Sequence, residues 1–188
     1  MKTLVIYYLP RKESRTKKLL NLFLEIGKFN DVDYLDLNNE NIKPLKLDDL
    51  IKRDNYIMNN DFNDPMCNYA KQFIKYDNII IACPFWDLSF PSILKVYIEN
   101  ICVNNITFKY VNDRPLGLSK FKNFYYLTTA GGPINNTNSA STYLKEISQF
   151  LGNGNYHSFY IDKLDIEGIN IDNLFNEKEE ELNIFFNK

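Results

Sequence analysis

The sequence is poor in the residues that most hydrolases and metalloproteins rely on. It has one histidine, three cysteines and one tryptophan in 188 residues. The lone histidine, His157, sits in the strand-like run YHSFYI with no second His and no Cys beside it. There is no G-x-S-x-G elbow, so a Ser-His-Asp hydrolase has no foundation here. The cysteines, Cys67, Cys83 and Cys102, are odd in number and fit no zinc spacing, which argues against a disulfide framework or a structural metal site. Cys83 ends the apolar run IIIAC and reads as a small buried hydrophobe. Charge of one sign is also lacking. Lys and Arg total 22 against 24 Asp and Glu, a net charge of −2. That balance gives no electrostatic case for nucleic acid or an anionic membrane as partner. Long hydrophobic runs are missing too. The first, in MKTLVIYYLP, stops at a proline and charges before it reaches the length of a secretory core, and no stretch approaches the ~20 residues of a membrane helix. The chain therefore reads as cytoplasmic. Neither G-x-G-x-x-G nor G-x-x-x-x-G-K-[ST] occurs, which removes the dinucleotide fingerprint and the P-loop. A response-regulator receiver needs acids after its first strand, and Tyr7-Tyr8 stand there instead.

What is present is a 45% hydrophobic chain with room for one core, expected to be a single domain over 1–188. Apolar, β-rich runs predict strands at 3–9, 32–37, 78–83, 121–132 and 156–162. Helical spacing predicts a helix after Ser14, with Leu19, Leu20, Phe23 and Leu24 on one face and Gly27 as its stop. Further helices are expected over 66–75, from Pro91 to about 102, over 137–151 and over 172–186. Residues 38–64 look polar and irregular, with a short helix around 47–53, and 106–117 reads as a small hairpin. Strands alternate with helices, and the central strands are apolar on both faces. The pattern predicts an α/β fold with a five-stranded parallel sheet, order 2-1-3-4-5, between helical layers. In such a sheet the ligand crevice lies beyond the carboxyl ends of the strands, where the order reverses.

Three loops should therefore share that crevice. The first, LPRKESRT (9–16), brings Ser14, Arg15 and Thr16 to a helix N-terminus, which suits either a phosphate or a simple N-cap. The second holds Pro84, Phe85, Trp86, Asp87 and Leu88; large aromatics at a strand exit are either core plugs or the wall of a flat ligand's pocket. The third is Thr129-Ala130-Gly131-Gly132, where glycines admit close approach of backbone N–H groups.

Taken in order, SRT at 14–16, PFWDLSFPSILK at 84–95, ITFKYVNDRPLGL at 106–118 and TAGG at 129–132 resemble the FMN-dependent NAD(P)H azoreductase and quinone reductase family of flavodoxin-like fold. The resemblance covers roughly residues 1–160. It implies that Ser14, Arg15 and Thr16 hold the FMN phosphate. It also implies that Pro84 to Leu88 border the isoalloxazine and that Thr129 to Gly132 meet its far rim. With it come FMN as cofactor, NADH or NADPH as donor, a quinone or azo compound as acceptor in a ping-pong cycle, and a homodimer. The flavin would carry the chemistry, with no catalytic side chain. Three positions depart from the family pattern. Asp87 replaces a usual Asn, Tyr8 a frequent Ser, and Ala130 a frequent Arg. An Asp87 carboxylate aimed at the ring would lower the flavin potential; turned away, it would leave only its backbone N–H at the site. Two rivals stay open: an electron carrier of flavodoxin type, and a binding or regulatory module without flavin.

Overall fold

The computed structural model describes residues 1–135 and 138–187. Strand β1 (Lys2–Tyr7) is followed by α1 (Arg15–Ile26), β2 (Asp31–Asp36), α2 (Leu47–Asn59) and α3 (Asn68–Phe73). Then come β3 (Asn78–Ala82), α4 (Ser92–Ile101), β4 (Phe108–Val111), β5 (Arg114–Gly117), β6 (Asn123–Thr129), α5 (Ser139–Leu151), β7 (Asn155–Ile161) and α6 (Ile171–Phe186). Five strands form one parallel sheet in the order β2-β1-β3-β6-β7, while β4 and β5 pair antiparallel as a separate hairpin. Counting only the sheet strands, this is the expected 2-1-3-4-5 order, and the hairpin is the predicted excursion.

Side-chain alternation along the inner strands builds two cores. Leu4, Ile6, Ile79, Ile81, Phe124 and Tyr126 point to one face and meet Phe73, Leu94, Tyr97, Ile98 and Leu144 of α3, α4 and α5. Val5, Ile80, Ala82, Tyr125 and Leu127 point to the other and meet Leu19, Phe23, Phe175 and Leu182 of α1 and α6. Both faces of β3 are thus covered and all its residues are buried, which is why its sequence reads as one unbroken apolar run.

Several boundaries differ from the expectation. The first strand ends two residues early, because Leu9-Pro10 turns into a loop. The expected 66–75 helix is a 3-10 turn (Pro65–Cys67) followed by the short α3. The helix expected over 137–151 starts at Ser139, capped by the Asn138 side chain; Thr137 lies outside the described residues. The largest difference is α2, which runs to Asn59, six residues beyond the short helix expected. None of its residues is fully buried. Ile57 packs partly against a small core of Cys67, Ala70, Val103 and Ile106, and polar tethers add to that contact. Arg53 donates to the carbonyls of Glu99 and Cys102 at the end of α4, and Tyr56 and Lys52 both reach the Asp64 carboxylate.

Candidate active-site cleft

Strands β1, β3 and β6 end side by side, and the loops that leave them enclose an open cleft of about 750 Å³. Each loop is fixed to its neighbour. The Tyr8 N–H donates to the Ala82 carbonyl at 3.0 Å, and the Phe85 N–H donates to the Thr129 carbonyl at 3.0 Å. The buried hydroxyls of Thr16 and Thr129 share a 2.6 Å hydrogen bond, joining the first turn of α1 to the end of β6.

One end of the cleft is cationic. Arg11, Lys12, Arg15, Lys17 and Lys18 line it against two carboxylates, Glu13 and Asp165. Ser14 caps α1, its Oγ accepting from the Lys17 N–H at 3.2 Å. The hydroxyl proton stays available, and the amides of a first helical turn have no partner within the helix. A helix N-terminus flanked by Arg and Lys is suited to an anion.

The middle of the cleft is aromatic. Phe85 and Trp86 both line the cleft, and Phe85 also packs partly against the core. Trp86 is set by neighbours from the other loop. Tyr8 meets it edge-on at 6.1 Å and 86°, and the Arg11 guanidinium lies over its ring at 5.9 Å. Beyond Trp86 the chain turns back at once. Trp86 and Ser89 exchange both backbone hydrogen bonds, at 2.8 and 2.9 Å, across a two-residue turn. Asp87 and Leu88 form that turn with φ of 49° and 65°, both in the left-handed region. The Leu88 carbonyl accepts from the Ser139 hydroxyl at 2.8 Å, which ties the turn to α5.

One edge, beside Arg15 and Asp165, is bare backbone. Ala130 and Gly131 line the cleft, and a Cβ at residue 131 would meet the Asp165 Oδ2 at 2.1 Å. The loop after β7 is laced to this edge by three N–H donors. Lys163 donates to Gly132, Leu164 to Ala130 and Asp165 to Gly131, at 3.1, 3.2 and 2.9 Å.

A family model described as flavodoxin-like fold matches residues 1–183. The chain belongs to that family. Among the relatives of this flavodoxin-like protein is the FMN-dependent NADH:quinone oxidoreductase of Clostridium perfringens (strain ATCC 13124), 39% identical over 175 residues, 90% of this chain and 86% of that one. The protein of the same name from Clostridium beijerinckii is 34% identical over 89% of this chain and 88% of its own. Among solved structures, the azoreductase of Bacillus anthracis str. Sterne superposes with a TM-score of 0.82 at 22% identity, covering 100% and 99% of the two chains. The FMN-dependent NADH-azoreductase of Bacillus anthracis str. Ames Ancestor, solved in complex with FMN, gives 0.80 at 20% identity, over 100% and 98%. At those identities the solved structures speak for the fold.

Of the residues singled out in the sequence of this flavodoxin-like protein, Ser14, Arg15, Thr16, Pro84, Phe85, Trp86, Thr129, Ala130 and Gly131 meet around the cleft. Asp87, Leu88 and Gly132 do not line it, and all three are exposed. The Asp87 carboxylate belongs to the solvent-facing turn. The Thr16 hydroxyl is engaged with Thr129. Tyr8, which stands where a hydroxyl contact is usual, instead braces Trp86. Leu164 and Asp165 are additions that the sequence did not reveal. The topological rule points between the first and third strands, and their loop follows the last strand of the sheet, two strands away. Cys83 at the exit of β3 is fully enclosed, and burial pushes its thiol well above the ordinary range. It cannot serve as a thiolate nucleophile at neutral pH. Among the described residues no cluster of His, Cys, Asp and Glu could hold a metal ion.

Proposed function

We propose that this protein is an FMN-dependent NADH:quinone oxidoreductase that also reduces azo compounds. One observation carries the reading: a cationic helix terminus, an aromatic wall and a side-chain-free edge line a single cleft of about 750 Å³. The volume falls within the range of ordinary cofactor sites, ~300–1,000 Å³. The names of the curated relatives, found at 33–39% identity, point the same way.

The residues fit FMN part by part. Ser14, the amides of the first turn of α1 and the Arg15 guanidinium would take the phosphate. Trp86 would lie against the ring system, and Ala130 and Gly131 would face its hydrogen-bonding rim. FMN, when bound, supplies two-electron chemistry, accepting a hydride from NADH and delivering the pair to a quinone or azo acceptor. The protein's part is to bind, orient and polarise. Its prolines, Pro84 and Pro91, stiffen the aromatic loop so that Trp86 is placed in advance. The Gly131 backbone N–H at this edge would favour negative charge gathering on the rim. No side-chain nucleophile is needed, in keeping with a chain whose one histidine lies on β7 beneath α6, between Tyr125 and Phe185.

If donor and acceptor occupy the same face of the ring, they take turns. Purified protein supplied with FMN should oxidise NADH in the presence of a quinone, faster than NADPH. Varying both substrates should give parallel double-reciprocal lines; intersecting lines, or no NADH oxidation, overturn the reading. We further propose that the protein acts in the cytosol as a homodimer. Support for the dimer comes from apolar side chains left exposed on α2 (Leu47, Ile51, Met58) and on the β4–β5 hairpin (Tyr110, Val111, Leu116). No described helix is long and apolar enough to cross a membrane.

A further inference from the structure

Asp165 places a carboxylate at the cationic end of the cleft. Its Oδ1 accepts from the Arg15 Nη1 at 2.5 Å, and its Oδ2 lies against Gly131, where any side chain would collide with it. The residue cannot drift away. Its own N–H is bonded to the Gly131 carbonyl, and the preceding Leu164 is buried and bonded to Ala130. The ion pair adds little to the fold, since both side chains are largely in water, at 41% and 67% exposure. Its position matters more. It occupies the guanidinium that an incoming phosphate would use.

We propose that Asp165 is a specificity-determining residue that competes with the FMN phosphate for Arg15. The cofactor is thereby held less tightly than the five lining cations alone would hold it, and discrimination between FMN and unphosphorylated riboflavin is narrowed. This inference rests on the FMN reading above. Two effects of the carboxylate oppose one another. It orders Arg15, which helps a phosphate; it also repels the phosphate directly. Ordering by an exposed pair is worth little, and a guanidinium keeps further donors free when one Nη is engaged. The repulsion is larger. A phosphate monoester carries about −1.5 to −2 charges at neutral pH, and two oxyanions on one guanidinium sit well inside the ~8 Å screening length of physiological salt. Repulsion therefore dominates.

The test is a titration of the full-length protein, freed of flavin, with FMN and separately with riboflavin, followed by flavin fluorescence at low and high salt. Asp165→Asn should lower the FMN dissociation constant about threefold to tenfold at low salt, leave riboflavin unchanged, and lose that advantage as salt rises. Glu99→Gln is the control. It removes the same charge from an exposed pair, with Lys95 at 2.5 Å, neither partner of which lines the cleft. It should move neither flavin. Weaker or unchanged FMN binding in Asp165→Asn, or equal tightening of both flavins, overturns the proposal. Wild type that binds neither flavin overturns the functional reading itself. Wild type that binds FMN while Asp165→Asn is indifferent removes only this inference.

Discussion

At the scale of single residues, the question posed by PFWDLSFP has two answers, one for each aromatic. Phe85 lines the cleft and also packs partly against the core, while Trp86 lines the cleft without joining that core. The sequence shows that large aromatics end this strand, but not how each divides between core and cleft. For Trp86 the direction comes from Tyr8 and Arg11, which brace and cover it from a loop more than seventy positions away. Trp86→Leu should leave the fold intact and raise the FMN dissociation constant about tenfold, through loss of a flat aromatic partner worth ~1 kcal/mol or more. Fluorescence titration beside a circular dichroism spectrum checks both halves. Asp87 makes an opposite case. Pointed at the ring from about 8 Å, its charge would lower the flavin potential by ~40 mV. In the structure it occupies an exposed turn outside the cleft lining. Asp87→Asn should therefore shift the two-electron midpoint potential by less than ~10 mV, a quarter or less of that figure. A potentiometric titration that finds the full shift would put the carboxylate at the ring after all.

At the scale of elements, legibility followed burial. The strands β3 and β6 and the helices α1 and α4 announce themselves, because each spends its apolar residues on a core that demands them at fixed spacing. Phe23 illustrates the demand. It is fully buried and its ring contacts Phe29, Tyr125, Phe159 and Phe186, so that α1, β6, β7 and α6 meet on one side chain. Phe23→Ala should cost about 3–5 kcal/mol in urea unfolding. Helix α2 is the reverse: its second half runs past the expected bound, and none of its residues is fully buried. Asp64 anchors it, accepting from Lys52, from the Tyr56 hydroxyl and from the Met66 N–H, and those bonds lower its carboxyl to about 2. The folded value lies below the ordinary 3.8, so the tether is complete above about pH 4 and is lost as pH falls through about 2. Hydrogen exchange in α2 should accelerate over that window while β3 stays protected. In Asp64→Asn the acceleration should already be present at neutral pH.

For the whole molecule, the switch-point rule located the cleft from strand order alone, and it did so because a parallel sheet leaves only its carboxyl edge unfilled. It could not announce the contribution of β7, whose loop reaches back across β6 through hydrogen bonds that no local pattern encodes. The surface of the single chain carries an apolar stripe. Leu47, Ile51 and Met58 fall on one stripe of α2, spaced by four and seven residues, and each is more than half exposed. The β4–β5 hairpin adds Tyr110, Val111 and Leu116. A helix tethered by charges, with its apolar stripe facing outward, makes sense if a second copy covers that stripe. Sedimentation at micromolar concentration should give a species of about twice the chain's 22.2 kDa. Ile51→Glu with Met58→Glu should halve it, since burying two unpaired carboxylates at an interface costs several kcal/mol. Both positions are exposed in the single chain, so the double variant should retain its unfolding midpoint at low concentration, where only monomer remains. A wild-type protein that sediments as a 22.2 kDa species while binding FMN and oxidising NADH would leave the stripe without that partner and place the complete site within one chain.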